Sequence, residues 1–145
     1  MNHTLITNHN SMVSDDDIFI HIGDFTLVPN PRYANEIIRQ LNGEKIFLIG
    51  SHDLWLQKKG KQMWEGTIEG IHIVCNHYPM YSWPRSHYGS FLLYGHHHGR
   101  FSIPCKALDV GVDTNNFYPY SLDKIIELMK NKPDTPGLIK NQYNL

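Results

Sequence analysis

Short apolar runs alternate with amphipathic segments along this chain, which is the pattern of an α/β protein. Ile18 to Ile22 and Lys45 to Ile49 are mostly apolar runs that each stop at a glycine, as expected for strands buried on both faces. Between them, apolar residues at helical spacing from Tyr33 to Leu41 predict a helix that follows a proline-containing loop over 29–31 and is closed by Asn42-Gly43. A strand, a helix and a strand in this order predict a right-handed parallel unit.

The second half of the chain adds a hairpin, further strands and a last helix. Met63 to Ile68 and Ile71 to Asn76 flank Glu69-Gly70, which is a suitable two-residue turn, so the hairpin makes the sheet mixed. The other predicted elements are a first helix over 4–12, strands over 91–94 and 107–112, and a helix from the N-cap Ser121 through Met129. We expect one domain over 1–131, followed by a surface tail over 132–145.

The composition narrows the class of protein. The 145 residues are 41% hydrophobic and 19% charged, which fits a single globular domain that needs no disulfide or structural metal. A formal net charge of -1 gives no electrostatic footprint for duplex nucleic acid or an anionic membrane. The apolar runs are shorter than the roughly 18 residues of a membrane span, and the N-terminus lacks a secretory pattern, so we expect a cytoplasmic protein. Cys75 and Cys105 have neither zinc nor redox spacing and are expected to be plain thiols.

The ten histidines are unevenly distributed, and several follow predicted strands. Four times an apolar run ends in Gly or Asn and then presents side chains that can bind a metal. In open α/β sheets the loops beyond the carboxyl ends of the strands converge on one crevice, so we expect these side chains to meet. One carboxylate with several imidazoles is a ligand set suited to Mn, Fe, Zn or Ni. The four segments are Gly23-Asp24, Gly50-Ser51-His52-Asp53, Asn76-His77 and Gly95-His96-His97-His98.

Each segment taken alone has a simpler interpretation. A Gly-Asp pair after a strand is usually a turn, and three successive histidines are compatible with a solvated loop. His21 alternates inward among apolar residues and is expected to be a hydrogen-bonded core histidine or a neighbour of the ligands, and not a ligand itself. The remaining histidines have no metal-like spacing and are expected at the surface; they are His3, His9, His72 and His87.

Taken together, the four segments resemble the calcineurin-like metallophosphoesterase superfamily. The motifs of that family include, in order, Gly-Asp, Gly-Asn-His-Asp/Glu, a His after a strand, and Gly-His-X-His. The flanking segments His77 to Met80 and Leu108 to Asp113 resemble the small bacterial and bacteriophage members, and the resemblance spans roughly Asn2 to Met129. The resemblance implies an α/β fold in which a mixed sheet is layered as in the metallophosphoesterases.

The resemblance also implies roles for the metal-binding residues. Asp24 would bridge two divalent ions, since a carboxylate has two oxygens. His77 and His96 would hold one ion, and His98 would help to hold the other. A metal-activated hydroxide would then attack phosphorus in line.

Three further residues acquire catalytic or substrate roles in the same way. His52 would face the leaving group and donate a proton to the departing alkoxide, with Asp53 positioning it. Arg100, just after the histidine loop, would contact a phosphate oxygen, although an exposed structural arginine explains it equally well.

The chain departs from the family pattern at two places. The Asp-X-His motif, which lies ahead of the segment resembling residues 1–17, is absent, so we expect the first strand and two ligands to be missing. One metal position then keeps only Asp24 and His98. The other keeps Asp24, His77 and His96, with Ser51 replacing the family's asparagine, and three protein ligands plus water form a workable mononuclear site.

The predicted function is therefore a metal-dependent phosphoesterase with one or two divalent ions and a small phosphorylated substrate. Three alternatives stay open for the missing ligands: replacement by His3 or His9, a strand supplied by another copy at the exposed sheet edge, which would give a homo-oligomer, or a degenerate enzyme. In the last case the chain is a binding or regulatory module that retains a partial metal site. A structural scaffold without a site would require the histidine cluster to be accidental.

Overall fold

The computed structural model describes residues 2–56 and 59–135. Helices alternate with strands over residues 2–47, and four further strands then precede the last helix. Short 3-10 turns lie at Leu54–Leu56, Ser86–Tyr88 and Val112–Thr114. None of the described helices is both long and apolar enough to cross a membrane. The elements are α1 Asn2–Met12, β1 Ile18–His21, α2 Pro31–Ile38, β2 Glu44–Phe47, β3 Met63–Ile68, β4 Ile71–Asn76, β5 Phe91–Tyr94, β6 Ala107–Asp109 and α3 Leu122–Met129.

The strands form two sheets and not one. β1 and β2 pair in parallel across the crossover helix α2, as predicted. The second sheet has the order β3-β4-β5-β6, in which the β3–β4 hairpin is antiparallel and the other pairs are parallel. Among the described residues, one parallel bridge between Leu48 and Lys61, just after β2 and just before β3, links the two sheets. The mixed sheet is confirmed in the second sheet, but the hairpin does not extend the sheet that contains β1.

β1 has one hydrogen-bonded strand partner within the described residues, and that partner is β2. Its other edge is the sheet edge through which the sequence predicts an oligomer, and that expectation stays a prediction.

Two apolar cores cover the two faces of the second sheet. Side chains alternate along its central strands, so Ile73 and Cys75 face one core while Val74 faces the other. The first core packs β4 and β5 against α3, and Ile20 and Ile22 of the first sheet lie against it. The end of β1 therefore lies close to the second sheet, beside β4 and β5. Both cysteines are free and buried, and burial raises the pKa of the Cys75 thiol to about 12.

The second helix begins earlier than the sequence pattern suggests. Asn30 is its N-cap, with the side-chain oxygen accepting a hydrogen bond from the Arg32 backbone N–H at 3.0 Å, and Pro31 is its first residue. Proline suits this position because the first helical N–H has no partner within the helix. The expected loop over 29–31 is therefore partly helix, and α2 ends at Ile38 ahead of the predicted Asn42-Gly43 closure.

Two histidines differ from their predicted environments. His9 is buried, and its Nε2 lies 2.9 Å from the Asn42 carbonyl, so the expectation of a surface residue is wrong. His9 shares the inward face of α1 and packs edge-on against Phe19. His21 is enclosed by aromatic rings as expected, but its buried Nδ1 has no hydrogen-bond partner among the described residues.

Residues 132–135 stay against the domain. The Lys132 ammonium donates a hydrogen bond to the Ala107 carbonyl at 2.5 Å, and the Thr135 N–H donates one to the Ser86 carbonyl at 3.1 Å. Asp134 pairs with Lys106 at 2.6 Å. The first residues of the predicted tail are thus docked, and its remainder, 136–145, lies outside the described residues.

Candidate metal centre

Three loops, each following a strand, bring one carboxylate and two imidazoles together. Asp24 follows β1, His77 follows β4 and His96 follows β5. One ligand atom from each lies within 4.8 Å of the others. His77 Nε2 is 3.3 Å from Asp24 Oδ2 and 3.2 Å from His96 Nδ1. The sequence pattern predicts that these side chains meet. They form the one group of three or more His, Cys, Asp or Glu within metal-binding distance in the described part of the chain.

Two glycines allow the loops after β1 and β2 to touch through their main chains. A Cβ on Gly23, whose φ is +92°, would lie 2.7 Å from the Gly50 Cα. A Cβ on Gly50 would overlap the amide nitrogen of Asp24. Real Cβ atoms do not approach other atoms so closely, so a side chain at Gly50 would displace Asp24, and one at Gly23 would displace Gly50 or His77.

Asp53 fastens these two loops together. Its carboxylate accepts backbone N–H bonds from Asp24 at 2.5 Å, Phe25 at 2.8 Å and Gly50 at 2.8 Å, and the indole N–H of Trp55 at 2.8 Å. Burial alone raises the pKa of Asp53, but these four hydrogen bonds outweigh it and hold the pKa below its ordinary value. The carboxylate is thus ionised and fully engaged.

The role expected for Asp53 was to orient His52, and the geometry corrects this. All four hydrogen bonds to the carboxylate come from other groups, because the turn after Gly50 directs it back toward the loop of Asp24. Asp53 therefore positions the carboxylate of Asp24 and not the ring of His52.

His77 is held in the tautomer that a metal ligand needs. The residue is 2% exposed, and its Nδ1 lies 2.9 Å from the Ile22 carbonyl. A carbonyl oxygen only accepts hydrogen bonds, so Nδ1 carries the proton and donates it. The lone pair of Nε2 then points toward Asp24 and His96. Metal-binding histidines are commonly oriented in this way by a backbone carbonyl.

His96 stands at the solvent side of the group. It adopts a left-handed φ of 71°, which turns its ring back toward His77. Burial lowers the pKa of His96, and the neighbouring His77 and His97 rings lower it further. The neutral ring is therefore favoured, and a neutral imidazole is the form that binds cations.

Ser51 and His52 border the group from the loop after β2. The Ser51 hydroxyl lies 3.2 Å from Asp24 Oδ2, and the His52 backbone N–H donates a hydrogen bond to Asp24 Oδ1 at 2.8 Å. The His52 side chain is exposed, and its ring has no hydrogen bond to any described residue. Ser51 is thus close to the carboxylate, while His52 contacts it through the main chain.

His98 lies apart from the other three predicted ligands. Its Nδ1 is 2.6 Å from Asp113 Oδ2, and its side chain is 70% exposed. The expectation that His98 shares an ion with Asp24 therefore does not match the geometry, because a carboxylate on the other side of the loop binds its ring. Arg100 is exposed, and its side chain makes no ion pair with a described residue.

Two carboxylates near the histidine loop were not recognised from the sequence. Asp109 is buried and accepts backbone N–H bonds from Gly99 at 2.9 Å and from Gly111 at 3.0 Å. Asp113 binds His98. The only signal for either was its place in the segment Leu108 to Asp113, which contributed to the resemblance without an assigned role.

The comparisons with known proteins give one relative. No family model matches the chain, and no solved structure matches it. The chain is 35% identical over 138 residues to "Uncharacterized protein MJ1445" of Methanocaldococcus jannaschii, and the match covers 90% of this chain and 76% of that protein. Identity at this level over most of both chains indicates common descent. The chain therefore belongs to the same protein family as this archaeal protein.

Proposed function

We propose that the protein is a metal-dependent phosphoesterase that hydrolyses a phosphomonoester or a phosphodiester. The observation that carries the proposal is the convergence of Asp24, His77 and His96 within 4.8 Å, on loops that follow three different strands. The ordered motifs that resemble the metallophosphoesterases supply the reaction class. Neither the convergence nor the motif order would be expected of a chance cluster of surface histidines.

The three residues suit a transition-metal ion chemically. Mixed imidazole and carboxylate ligands favour Mn, Fe, Zn or Ni, and three protein ligands leave open positions for a substrate. A divalent cation bound there would act as a Lewis acid toward a phosphoryl oxygen and would lower the pKa of a water molecule. With one such group among the described residues, the arrangement supports one ion more directly than two.

The chain's own groups would prepare the site before any substrate binds. Asp53 and the two glycines fix the position of Asp24, and the Ile22 carbonyl fixes the ring of His77. His52 is attached to Asp24 through its backbone and has a free, exposed ring, so we assign it the protonation of the leaving oxygen. Arg100 is the cationic side chain at the end of the histidine loop and would contact a phosphate oxygen.

A second candidate is a binding or regulatory module that holds one ion and turns over little. The observation that favours it is the engagement of His98 by Asp113, which leaves one clear ligand group instead of two. Ser51 in place of an asparagine points the same way, since a neutral hydroxyl is a weaker ligand than an amide oxygen.

One set of experiments distinguishes a phosphoesterase from a binding module. Protein stripped of metal would be titrated with Mn²⁺ and assayed on p-nitrophenyl phosphate and its bis ester. Asp24→Asn should abolish hydrolysis and weaken Mn²⁺ binding by more than about 100-fold, since a single ionised ligand is lost. His87→Gln, at an exposed position in the turn Ser86–Tyr88, is the matched control and should change neither.

His52→Ala distinguishes a proton donor from a ligand. It should lower the turnover number by about 100-fold or more and leave Mn²⁺ affinity within about threefold. Tight Mn²⁺ binding without hydrolysis of either ester would favour the binding module. Absence of Mn²⁺ binding would reject both candidates.

A further inference from the structure

A row of aromatic rings leads from the metal-binding group to the protein surface. Tyr78 packs edge-on against His77 and His96, with ring centroids 4.9 and 4.7 Å away. His97 lies 5.0 Å from His96, and Phe101 lies 5.2 Å from His97. Tyr78 and Phe101, together with His97, therefore border the group that would bind the phosphate.

The outer rings of this row are presented to solvent on backbones that are held in place. Tyr78 is 47% exposed and Phe101 is 46% exposed, and neither belongs to the two apolar cores. The Tyr78 N–H donates a hydrogen bond to Asn76 Oδ1 at 2.9 Å, and the hydroxyl of the buried Tyr94 donates one to the Phe101 carbonyl at 3.1 Å. Two large rings are thus kept beside the site without serving the packing of the cores.

Few charged side chains near the group could recognise the organic part of a substrate. Across residues 22–25, 50–53, 76–78 and 95–101, which surround the group, Arg100 is the single lysine or arginine. A cation and Arg100 would account for the phosphate. What remains at the rim for the ester substituent is aromatic surface, and flat aromatic groups stack on such surface whatever their hydrogen-bonding pattern.

We propose that the rim formed by Tyr78, His97 and Phe101 stacks against the base of a nucleotide, so that the substrate is a nucleotide phosphoester. This proposal rests on the proposed function, because it takes the phosphate to lie at Asp24, His77 and His96. The shared chemistry is a planar ring close to a phosphate, and a simple aryl phosphate has the same two features. The test therefore compares a nucleotide with both a sugar phosphate and an aryl phosphate.

The experiment measures binding to the Mn²⁺-loaded protein by calorimetry, with adenosine monophosphate, ribose phosphate and phenyl phosphate as probes. The nucleotide should bind at least about tenfold more tightly than ribose phosphate, as expected for one stacked base. It should also bind more tightly than phenyl phosphate, because a purine covers more of the rim. Equal binding of the three probes, or a preference for phenyl phosphate over the nucleotide, would overturn the proposal.

Substitutions of the rim residues test whether their rings cause the preference for a nucleotide. Tyr78→Ala and Phe101→Ala should each weaken nucleotide binding by about fivefold to thirtyfold and change ribose phosphate binding less than about twofold. Tyr78→Phe should keep the wild-type preference. Tyr81→Ala is the matched control, since Tyr81 is 89% exposed and has no ring contact within the described residues. If the wild type does not bind Mn²⁺, both the metal site and this proposal are refuted. If it binds Mn²⁺ and phosphate tightly but does not prefer the nucleotide, this proposal alone is refuted.

Discussion

His96 and His98 stand two residues apart in one loop and have different partners. His96 points its Nδ1 toward His77, at 3.2 Å, and so joins the group with Asp24. His98 points its Nδ1 toward Asp113, at 2.6 Å, and is largely exposed. A sequence motif that treats the two as a pair of ligands therefore covers two separate arrangements.

The strand order explains the difference. The loop after β5 begins beside the loop after β4, where the Gly95 N–H donates to the His77 carbonyl at 3.1 Å. It ends beside β6, where the Gly99 N–H donates to Asp109. Because β5 lies between β4 and β6, the two halves of its loop are attached to opposite neighbours. A histidine in the first half of the loop therefore lies near the loop after β4, and one in the second half lies near β6 and Asp113.

Asp53 and Asp109 are the carboxylates that accept backbone N–H bonds from the loops on the two sides, and removing them should lower stability by unequal amounts. Asp53→Ala should lower the free energy of unfolding by about 3–5 kcal/mol, because it leaves three backbone N–H groups and an indole N–H without a partner. Asp109→Ala, which frees two backbone N–H groups, should cost about 1–3 kcal/mol. Urea unfolding of both variants measures this, and equal losses would contradict it.

His96 and His98 give the most direct test of the candidate metal centre. His96→Gln should weaken Mn²⁺ binding by about 100-fold or more, which corresponds to about 2.7 kcal/mol. His98→Gln should change it by less than about threefold, since its ring is bound by Asp113. Calorimetric titration of the two variants provides the comparison. A similar loss in both would mean that His98 moves to the ion when metal binds.

His21, behind the loop of Asp24, should make the protein acid-sensitive. Burial lowers its pKa to about 4, although nearby Asp53 and Asp24 raise it somewhat. The unfolded chain, with a pKa near 6.5, therefore takes up this proton first, so the stabilising effect is complete above about pH 6.5 and is lost as the pH falls toward 4. Unfolding free energy should fall by up to about 2 kcal/mol between about pH 7 and pH 5 from this residue.

His21→Phe is the matched variant for this effect. A phenyl ring fits among Phe19, Phe25 and Phe47 and removes a buried nitrogen that lacks a described partner. Its urea unfolding should be less sensitive to pH over the same interval, and at neutral pH the variant should be at least as stable as the wild type. An unchanged acid response would show that other groups cause it.

The local elements of the fold could be predicted because neighbouring residues determine them. Glu69-Gly70 closes the β3–β4 hairpin as expected, and both residues have positive φ. Ser121 caps α3 through a hydrogen bond from the Lys124 N–H, also as expected. The split into two sheets was not foreseen. Among the described residues one bridge, between Leu48 and Lys61, joins the sheets, and no local pattern shows that the pairing stops there.

The same limit applies to the site. The meeting of His77 and His96 followed from a general property of parallel neighbouring strands, namely that their carboxyl ends lie on one side. Asp24 follows a strand of the other sheet, so its approach to them depends also on how the two sheets meet. The choice of hydrogen-bond partner did not follow, because Asp53 binds Asp24 and Phe25, and His98 binds Asp113, all of which are distant in sequence. His9 illustrates the point for the core, since its helical spacing placed it with Leu5 and Ile6 but its residue type suggested solvent.

The contact between Gly23 and Gly50 means that the spacing of the candidate centre is set by main chain, at a place where any added side chain would disrupt it. The rings that would meet a substrate, by contrast, are carried on the outside of loops and can be exchanged individually. Substitutions at these rings should therefore change the proposed substrate preference more readily than the position of the proposed cation.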